Sequence, residues 1–591
     1  MLRSFVCLIA SFFVFEIVSA EKVIEFRDPA SMRAVGSQSA TSKIVNDEFG
    51  DSAFRVDIEK AGEVPWAVVM HTGTNTKPLL KGDRLLCEIS ARVTGERTEY
   101  GNLRIATESA VKHKQGYAGD QIELTTKKKT YRFTVTCPGD YDAGEYRIAL
   151  HLAQIPQVVD IYAVSMERYD ADTPTSQLNI SPISWRGQEE DAPWRIQAQK
   201  RIEEFRKQTL KIIITDDLGN PVPDAKLNIQ QRKHAWRFGM FVGPTLLAEN
   251  EDGRKYRELI KSRYNYLALP AYLANWGWLN EESRSRYFRF ADWAQENKLP
   301  ARGHLLVYPG WAVTPPEWFN IPKPDLRKNL EQHIPTAIDA LRVRGVTEWD
   351  VTNELRMNEA FMDEIGGVQV AADWFKAARE RLPSGDLYIN ETFILSNGGK
   401  TETEQAKYEE HIEQLLAAGA PIDGLGMQGH FGSQLTPPEK LIETLNRFAR
   451  YGKKIQITEF DIDTDDKRAQ ALYMRDFYTA CFSHPSVVGV VRWGFWEGEM
   501  WKPRGHAFTK EWQTTLVSEA YEDLVLGKWW TNLEGQTDAN GIWKDRVFRG
   551  VQNISVDVKG YRYNRDLEVD SDAVTHEVIL PIRTSTNTKS G

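Results

Sequence analysis

Two glutamates carry the sequence's chemical content. Glu354 closes the run WDVTNE (Trp349–Glu354) and Glu459 sits in ITEFDI (Ile457–Ile462), each at the end of a short apolar, strand-like segment. Cleaving a glycosidic bond needs two carboxyl groups: one protonates the leaving oxygen, and the other attacks the anomeric carbon or activates water. Further polar and aromatic residues close other such runs: His304 in RGH, Asn353 beside Glu354, Gln428 and His430 in GMQGH, Asp461 beside Glu459, and Trp493 and Trp501 in WGFWEGEMW. A single glutamate at a strand end is ordinarily solvated or ion-paired; here the ordered set supports a site. A metal centre built from the same His and Glu residues would need a compact HxH or HExxH spacing, which the sequence lacks. No metal and no cofactor are expected.

These side chains must be held by a regular frame. Between residues 236 and 528, eight strand candidates alternate with helical segments such as Asp373–Arg381 and Thr403–Ala418. The strands are Arg237–Val242, Tyr264–Pro270, Ala301–Tyr308, Glu348–Glu354, Asp386–Glu391, Gly424–His430, Lys454–Asp461 and Gly489–Trp496. Eight β-α units predict an α/β fold, a (β/α)8 TIM barrel, whose functional side chains project from the C-terminal strand ends. A doubly wound open sheet is the runner-up, but no GxGxxG or phosphate loop opens any unit. Strands four and seven lie on opposite sides of such a barrel, so Glu354 and Glu459 can face one another.

Either side of the barrel the pattern changes. Residues 21–170 alternate apolar and polar residues, as in Phe54, Val56 and Ile58, or Tyr146, Ile148 and Leu150, which predicts an antiparallel β-sandwich. Residues 171–194 are rich in Pro, Ser and Gln and read as a linker. A helix and two strands over 195–235, with a C-terminal segment over 529–591, read as a small flanking β-module and a tail.

The first 20 residues have a positive end at Arg3, an apolar run from Phe5 to Phe15 and small residues at Val18-Ser19-Ala20. That is the pattern of a cleaved export signal; a membrane anchor would need about 20 apolar residues. A secreted chain, with no membrane association after signal removal, is expected. The other three cysteines, Cys87, Cys137 and Cys481, are too scattered for a thiolate metal cluster; Cys87 and Cys137 fit either one disulfide or two buried thiols. With 74 basic and 83 acidic residues, the net charge of −9 argues against nucleic acid as a partner. Eighteen tryptophans suit cores and stacking on sugar rings. A polysaccharide is the expected partner and a monomer the expected state.

The blocks RGH, WDVTNE, GMQGH, ITEFDI and WGFWEGEMW, in that set and order, resemble the signature of family 10 glycoside hydrolases, mostly endo-β-1,4-xylanases. The resemblance covers roughly residues 207–558, including the flanking TDDLGNPVP and TDANG. The sandwich is similar, by position and strand pattern, to carbohydrate-binding modules of the family 4/9/22 type. The resemblance implies a retaining mechanism on a β-1,4-linked polysaccharide, xylan or a related β-glycan, with Glu354 as acid/base and Glu459 as nucleophile. It implies that His430 and Asp461 orient the nucleophile, that Asn353 contacts the sugar 2-hydroxyl, and that His304, Gln428, Trp493 and Trp501 surround the sugar. The family's Glu-Asn-x-x-Lys-Trp run after strand two is replaced here by LPAYLANWGW (Leu269–Trp278), and its Trp and His after RGH-x-L-V by Tyr308 and Pro309. The glycone pocket is accordingly expected to be rebuilt with Tyr272, Trp276, Trp278 and Trp311. A polysaccharide-binding protein that has lost turnover, or a structural adhesion protein, would keep the barrel or the sandwich but has no need of the paired carboxylates.

Overall fold

The computed structural model describes residues 20–36, 40–62, 64–111, 118–396, 402–558, 560–570 and 574–580. The export signal expected over 1–20 falls, apart from Ala20, outside these residues. Two compact units divide the chain at 183/184.

The first unit is an antiparallel sandwich. One sheet runs Ala40–Asn46, Ser52–Ile58, Gln157–Tyr169, Arg84–Val93, Lys129–Thr136, with Glu21–Phe26 also paired to Gln157–Tyr169; the other runs Ala34–Gly36, Val68–Thr74, Tyr146–His151, Tyr100–Ser109, Ala118–Thr125. The alternation seen in the sequence has its physical cause here. Phe54, Val56, Ile58, Phe133, Val135, Ile148 and Leu150 all point into one core, because successive side chains on a strand face opposite ways. Cys87 and Cys137 are buried free thiols, which resolves the two alternatives in favour of packing.

The stretch read as a linker is shared by the two units. Ser181 still pairs with the sandwich, its N–H donating to Arg132 O at 2.9 Å. Trp185 belongs to the second unit, where Nε1 donates to Asp476 Oδ2 at 2.9 Å.

The second unit is built on eight parallel strands, Arg237–Phe241, Tyr266–Pro270, Ala301–His304, Val346–Asn353, Asp386–Glu391, Gly424–Phe431, Lys454–Ile462 and Val487–Arg492, closed into a barrel. Helices cover it, several started by side-chain caps: Asn250 accepts from Gly253 N, Asn280 from Ser283 N and Asp466 from Ala469 N. Two strands stop earlier than the sequence suggests. Strand three ends at His304, and Leu306 and Val307 then donate to Asp350 O and Val351 O, following strand four in a shifted register. Strand eight ends at Arg492 because the chain turns at Gly494, whose φ of +96° breaks the ladder.

The flanking module joins segments from both sides of the barrel. Lys207–Asp216 lies between Ile542–Phe548 and Val574–Leu580, and Lys226–His234 between Asn532–Gln536 and Gly550–Val558, which in turn pairs Tyr561–Val569. Leu210, Ile212, Ile229, Trp543, Ile554 and Val556 fill its core.

Candidate active site

Glu354 leaves strand four in the left-handed region, with φ +58°. A non-glycine residue there costs on the order of 1–3 kcal/mol unless neighbours hold it. Here its N–H donates to Asn390 O at 3.0 Å and its carbonyl accepts from Asn358 Nδ2 at 2.9 Å. The turn brings its carboxylate to the barrel mouth, where Oε2 accepts from the Tyr308 hydroxyl at 2.8 Å. Oε1 accepts from Gln428 Nε2 at 2.8 Å and from Asn353 Nδ2 at 3.3 Å.

Strand seven presents Glu459 and Asp461 two residues apart, hence on one face. The register with strand six sets Gln428 beside Glu459 and His430 beside Asp461. His430 spans both carboxylates, Nδ1 at 2.8 Å from Asp461 Oδ2 and Nε2 at 3.1 Å from Glu459 Oε2. Asp461 also accepts from Trp501 Nε1 at 3.0 Å and from Lys502 Nζ at 3.3 Å. On the other side of Glu459, His304 Nε2 stands 3.9 Å from Oε1, and its Nδ1 is 2.9 Å from Asp350, itself ion-paired with the buried Arg302.

Asn390, fully buried at the end of strand five, joins the two glutamates. Its amide nitrogen donates to Asn353 Oδ1 at 2.7 Å and to Glu459 Oε1 at 2.9 Å, and Thr458 fixes its orientation by donating to its oxygen at 2.6 Å. Glu354 and Glu459 therefore sit in one continuous network.

The charges follow from this geometry. Burial disfavours ionisation of Glu459, but His304, His430 and Asn390 together outweigh it and hold the carboxyl below its ordinary range. Burial likewise disfavours the charged form of His430, but Asp461 and Glu459 overcome it and raise the imidazole to about 9. The pair is an imidazolium against a carboxylate. Next to Asn390, the fully buried Glu391 is raised to about 7, chiefly by burial; its oxygens accept from Arg356 N and Thr392 N. Among the described residues no group of three or more His, Cys, Asp or Glu is placed to hold a metal ion.

Trp493 is buried and stacks on Phe241 at 3.9 Å, with its edge towards His304, while Trp501 stays 58% exposed beside His430. All eight residues read from the sequence as catalytic or sugar-binding, with Asp461, thus converge on one mouth. The aromatic replacements divide. Tyr272 and Trp276 line the mouth, but Trp278 is buried against His333 and Phe288, and Trp311 packs on Phe319 and Phe361. Sequence reasoning missed Asn390 and Glu391, although a polar pair closing strand five was a usable signal. It also missed the bond from Tyr308 to Glu354, the Arg302–Asp350 support of His304, and Lys502.

The family model for glycosyl hydrolase family 10 matches residues 227–523, just over half of the chain. The chain belongs to glycosyl hydrolase family 10. The chain is similar to curated proteins of differing description. It is 28% identical over 392 residues to the anti-sigma-I factor RsgI6 of Acetivibrio thermocellus, covering 65% of this chain and 49% of that protein. It is 27% identical over 327 residues to endo-1,4-beta-xylanase 1 of Arabidopsis thaliana, covering 54% and 33% respectively. The chain thus spans half or less of the length of these relatives. Among solved structures, a mutant of xylanase10C from Cellvibrio japonicus, in complex with xylopentaose, aligns at 16% identity and TM-score 0.42, over 84% of this chain and 97% of that one.

Proposed function

We propose that this family 10 member is a retaining glycoside hydrolase that cleaves a β-1,4-linked polysaccharide, xylan or a related β-glycan, with Glu459 as nucleophile and Glu354 as acid/base. The observation that carries the reading is the shared network. Glu459 is kept ionised by His430 and Asn390, while Glu354, bonded to Asn353 and Gln428 of that same network, reaches the mouth from the facing strand. In the first step a Glu459 oxygen bonds to the anomeric carbon as the glycosidic C–O bond breaks, and Glu354 gives its proton to the departing oxygen. In the second, Glu354 takes a proton from water, whose oxygen replaces Glu459 on the same carbon. His430 and Asp461 hold the nucleophile's orientation through both steps. Asn353, Gln428 and His304 contact the reacting sugar, and Trp493 and Trp501 wall it.

A screen of polysaccharides and aryl β-glycosides with wild type and Glu459→Ala tests the assignment. A loss of about four or more orders of magnitude in turnover is expected, with azide giving a glycosyl azide of inverted configuration. Equal turnover by the two proteins would overturn it. The missing Glu, Asn and Lys near 269–278 favour the second reading, a polysaccharide-binding protein without turnover. The completeness of the Glu354–Glu459 network favours the enzyme.

The reading extends to the rest of the chain. The signal is removed and the protein is exported as a monomer, and the sandwich is a carbohydrate-binding module. Deleting residues 21–170 should weaken binding to insoluble polymer while leaving soluble-substrate turnover nearly unchanged; collapse of turnover on small substrates would contradict the module's independence.

A further inference from the structure

Strands four and five leave the barrel through the same unusual conformation. Glu354 has φ +58° and Phe393 φ +59°, a region that non-glycine residues keep only where neighbours hold them. Between the two turns lies Glu391, fully buried. Alternation along strand five sends Asn390 to the barrel axis and Glu391 to the opposite face. There its Oε2 accepts from Arg356 N at 3.1 Å and its Oε1 from Thr392 N at 2.9 Å. Arg356 opens the short helical turn Arg356–Asn358 that follows Glu354, and Thr392 directly precedes Phe393.

The surrounding contacts tie the same two turns. Arg356 Nη2 reaches Thr392 O at 3.5 Å, and its guanidinium lies 6.0 Å from the centre of the Phe393 ring. Glu354 N donates to Asn390 O at 3.0 Å, and Asn358 Nδ2 donates to Glu354 O at 2.9 Å. The Glu391 carboxyl bonds the backbone of both turns at once. Two acceptor oxygens are needed for that; an amide would offer one oxygen and turn a donor towards the other N–H. Burying a carboxyl group is costly, and the reaction as proposed gives this one no step.

We propose that Glu391 is a positioning residue for the acid/base: its two carboxyl oxygens clamp the turns after strands four and five together and so fix where the Glu354 carboxyl meets the departing oxygen. The inference rests on the hydrolase reading for the acid role of Glu354, and on the two backbone bonds alone for the clamp. A misplacement of about 1 Å at a reacting group costs on the order of 100-fold in rate. Glu459 keeps its own partners, Asn390 and His430. Loosening the clamp therefore slows proton donation and spares nucleophilic attack.

The test compares the full chain with its Glu391→Gln variant on two probes, dinitrophenyl and phenyl β-xylobioside. Dinitrophenolate departs without a proton, whereas phenolate needs one from the general acid. In the variant, kcat/KM for the phenyl probe should fall about tenfold further than for the dinitrophenyl probe. Both rates scale with the amount of folded enzyme, so their ratio is blind to partial unfolding. If Glu391→Gln does not fold, Glu391→Asp, which retracts both oxygens by one methylene, should show the same bias. Equal losses on the two probes, or none, would overturn the positioning role. Hydrogen exchange read on peptides spanning residues 354–358 and 391–394 separates the clamp from the reaction. Faster exchange in the variant upholds the clamp even if wild type hydrolyses neither probe, in which case only the hydrolase reading fails; unchanged exchange sinks the clamp alone.

Discussion

The hydroxyl of Tyr308 donates to Glu354 Oε2 at 2.8 Å. With Gln428 on Oε1, it fixes the carboxylate between two donors. Removing the donor in Tyr308→Phe deletes one hydrogen bond to the Glu354 carboxyl group, worth about 0.5–1.5 kcal/mol. We expect kcat to fall about 3- to 10-fold with KM little changed; steady-state kinetics on an aryl β-glycoside checks this, and an unaltered kcat would mean that Tyr308 does not position Glu354.

Asn390 is the link between the two glutamates. Asn390→Ala removes the donor to both Asn353 and Glu459 and leaves the Thr458 hydroxyl without its acceptor. A stability loss of about 1–3 kcal/mol is expected in urea titration, with kcat reduced about 100-fold. Full activity would show that Glu459 is held by His430 alone.

The buried Glu391 and the half-buried His430 make stability fall as pH rises, in separable windows. Glu391 is raised from 4.5 to about 7 and His430 from 6.5 to about 9. In each case the folded protein binds protons that the unfolded chain has released, so stability decreases with pH between the two values. Relative to Glu391→Gln, wild type should lose stability from about pH 4.5 to 7; relative to His430→Gln, from about pH 6.5 to 9. Each loss is on the order of 3 kcal/mol. Denaturant midpoints across pH 4–10 measure both, and parallel curves for wild type and variant would refute the corresponding shift.

Gly303 places strand three against the Trp349 ring. A Cβ at 303 would lie 2.3–2.6 Å from three ring carbons of a side chain that is fully buried. Gly303→Ala should destabilise the barrel by about 1–3 kcal/mol and reduce activity further by displacing the adjacent His304. Thermal unfolding and turnover measured together test the coupling, and a variant matching wild type in both would show that Trp349 has room to move.

The order of elements was legible in the chain because it is a local property. Alternation in the sandwich, eight β-α units, and carboxylates closing strands four and seven all follow from side-chain periodicity and turn residues, and each reappears in the structure within a few residues. What periodicity cannot convey is which side chains meet. Trp278 and Trp311 have the same composition signal as Trp276, yet two of the three turn into the helical layer; the difference lies in loop geometry set by contacts with His333 and Phe361. Asn390 is one polar residue among many until barrel closure brings strands four, five and seven to a common axis. The ionisation of Glu459 and His430 likewise depends on burial competing with partners from other strands, which only the closed barrel supplies. Sequence determined the carboxylates and their frame; tertiary structure decided their partners and their charges, because those rest on distances between residues far apart in the chain.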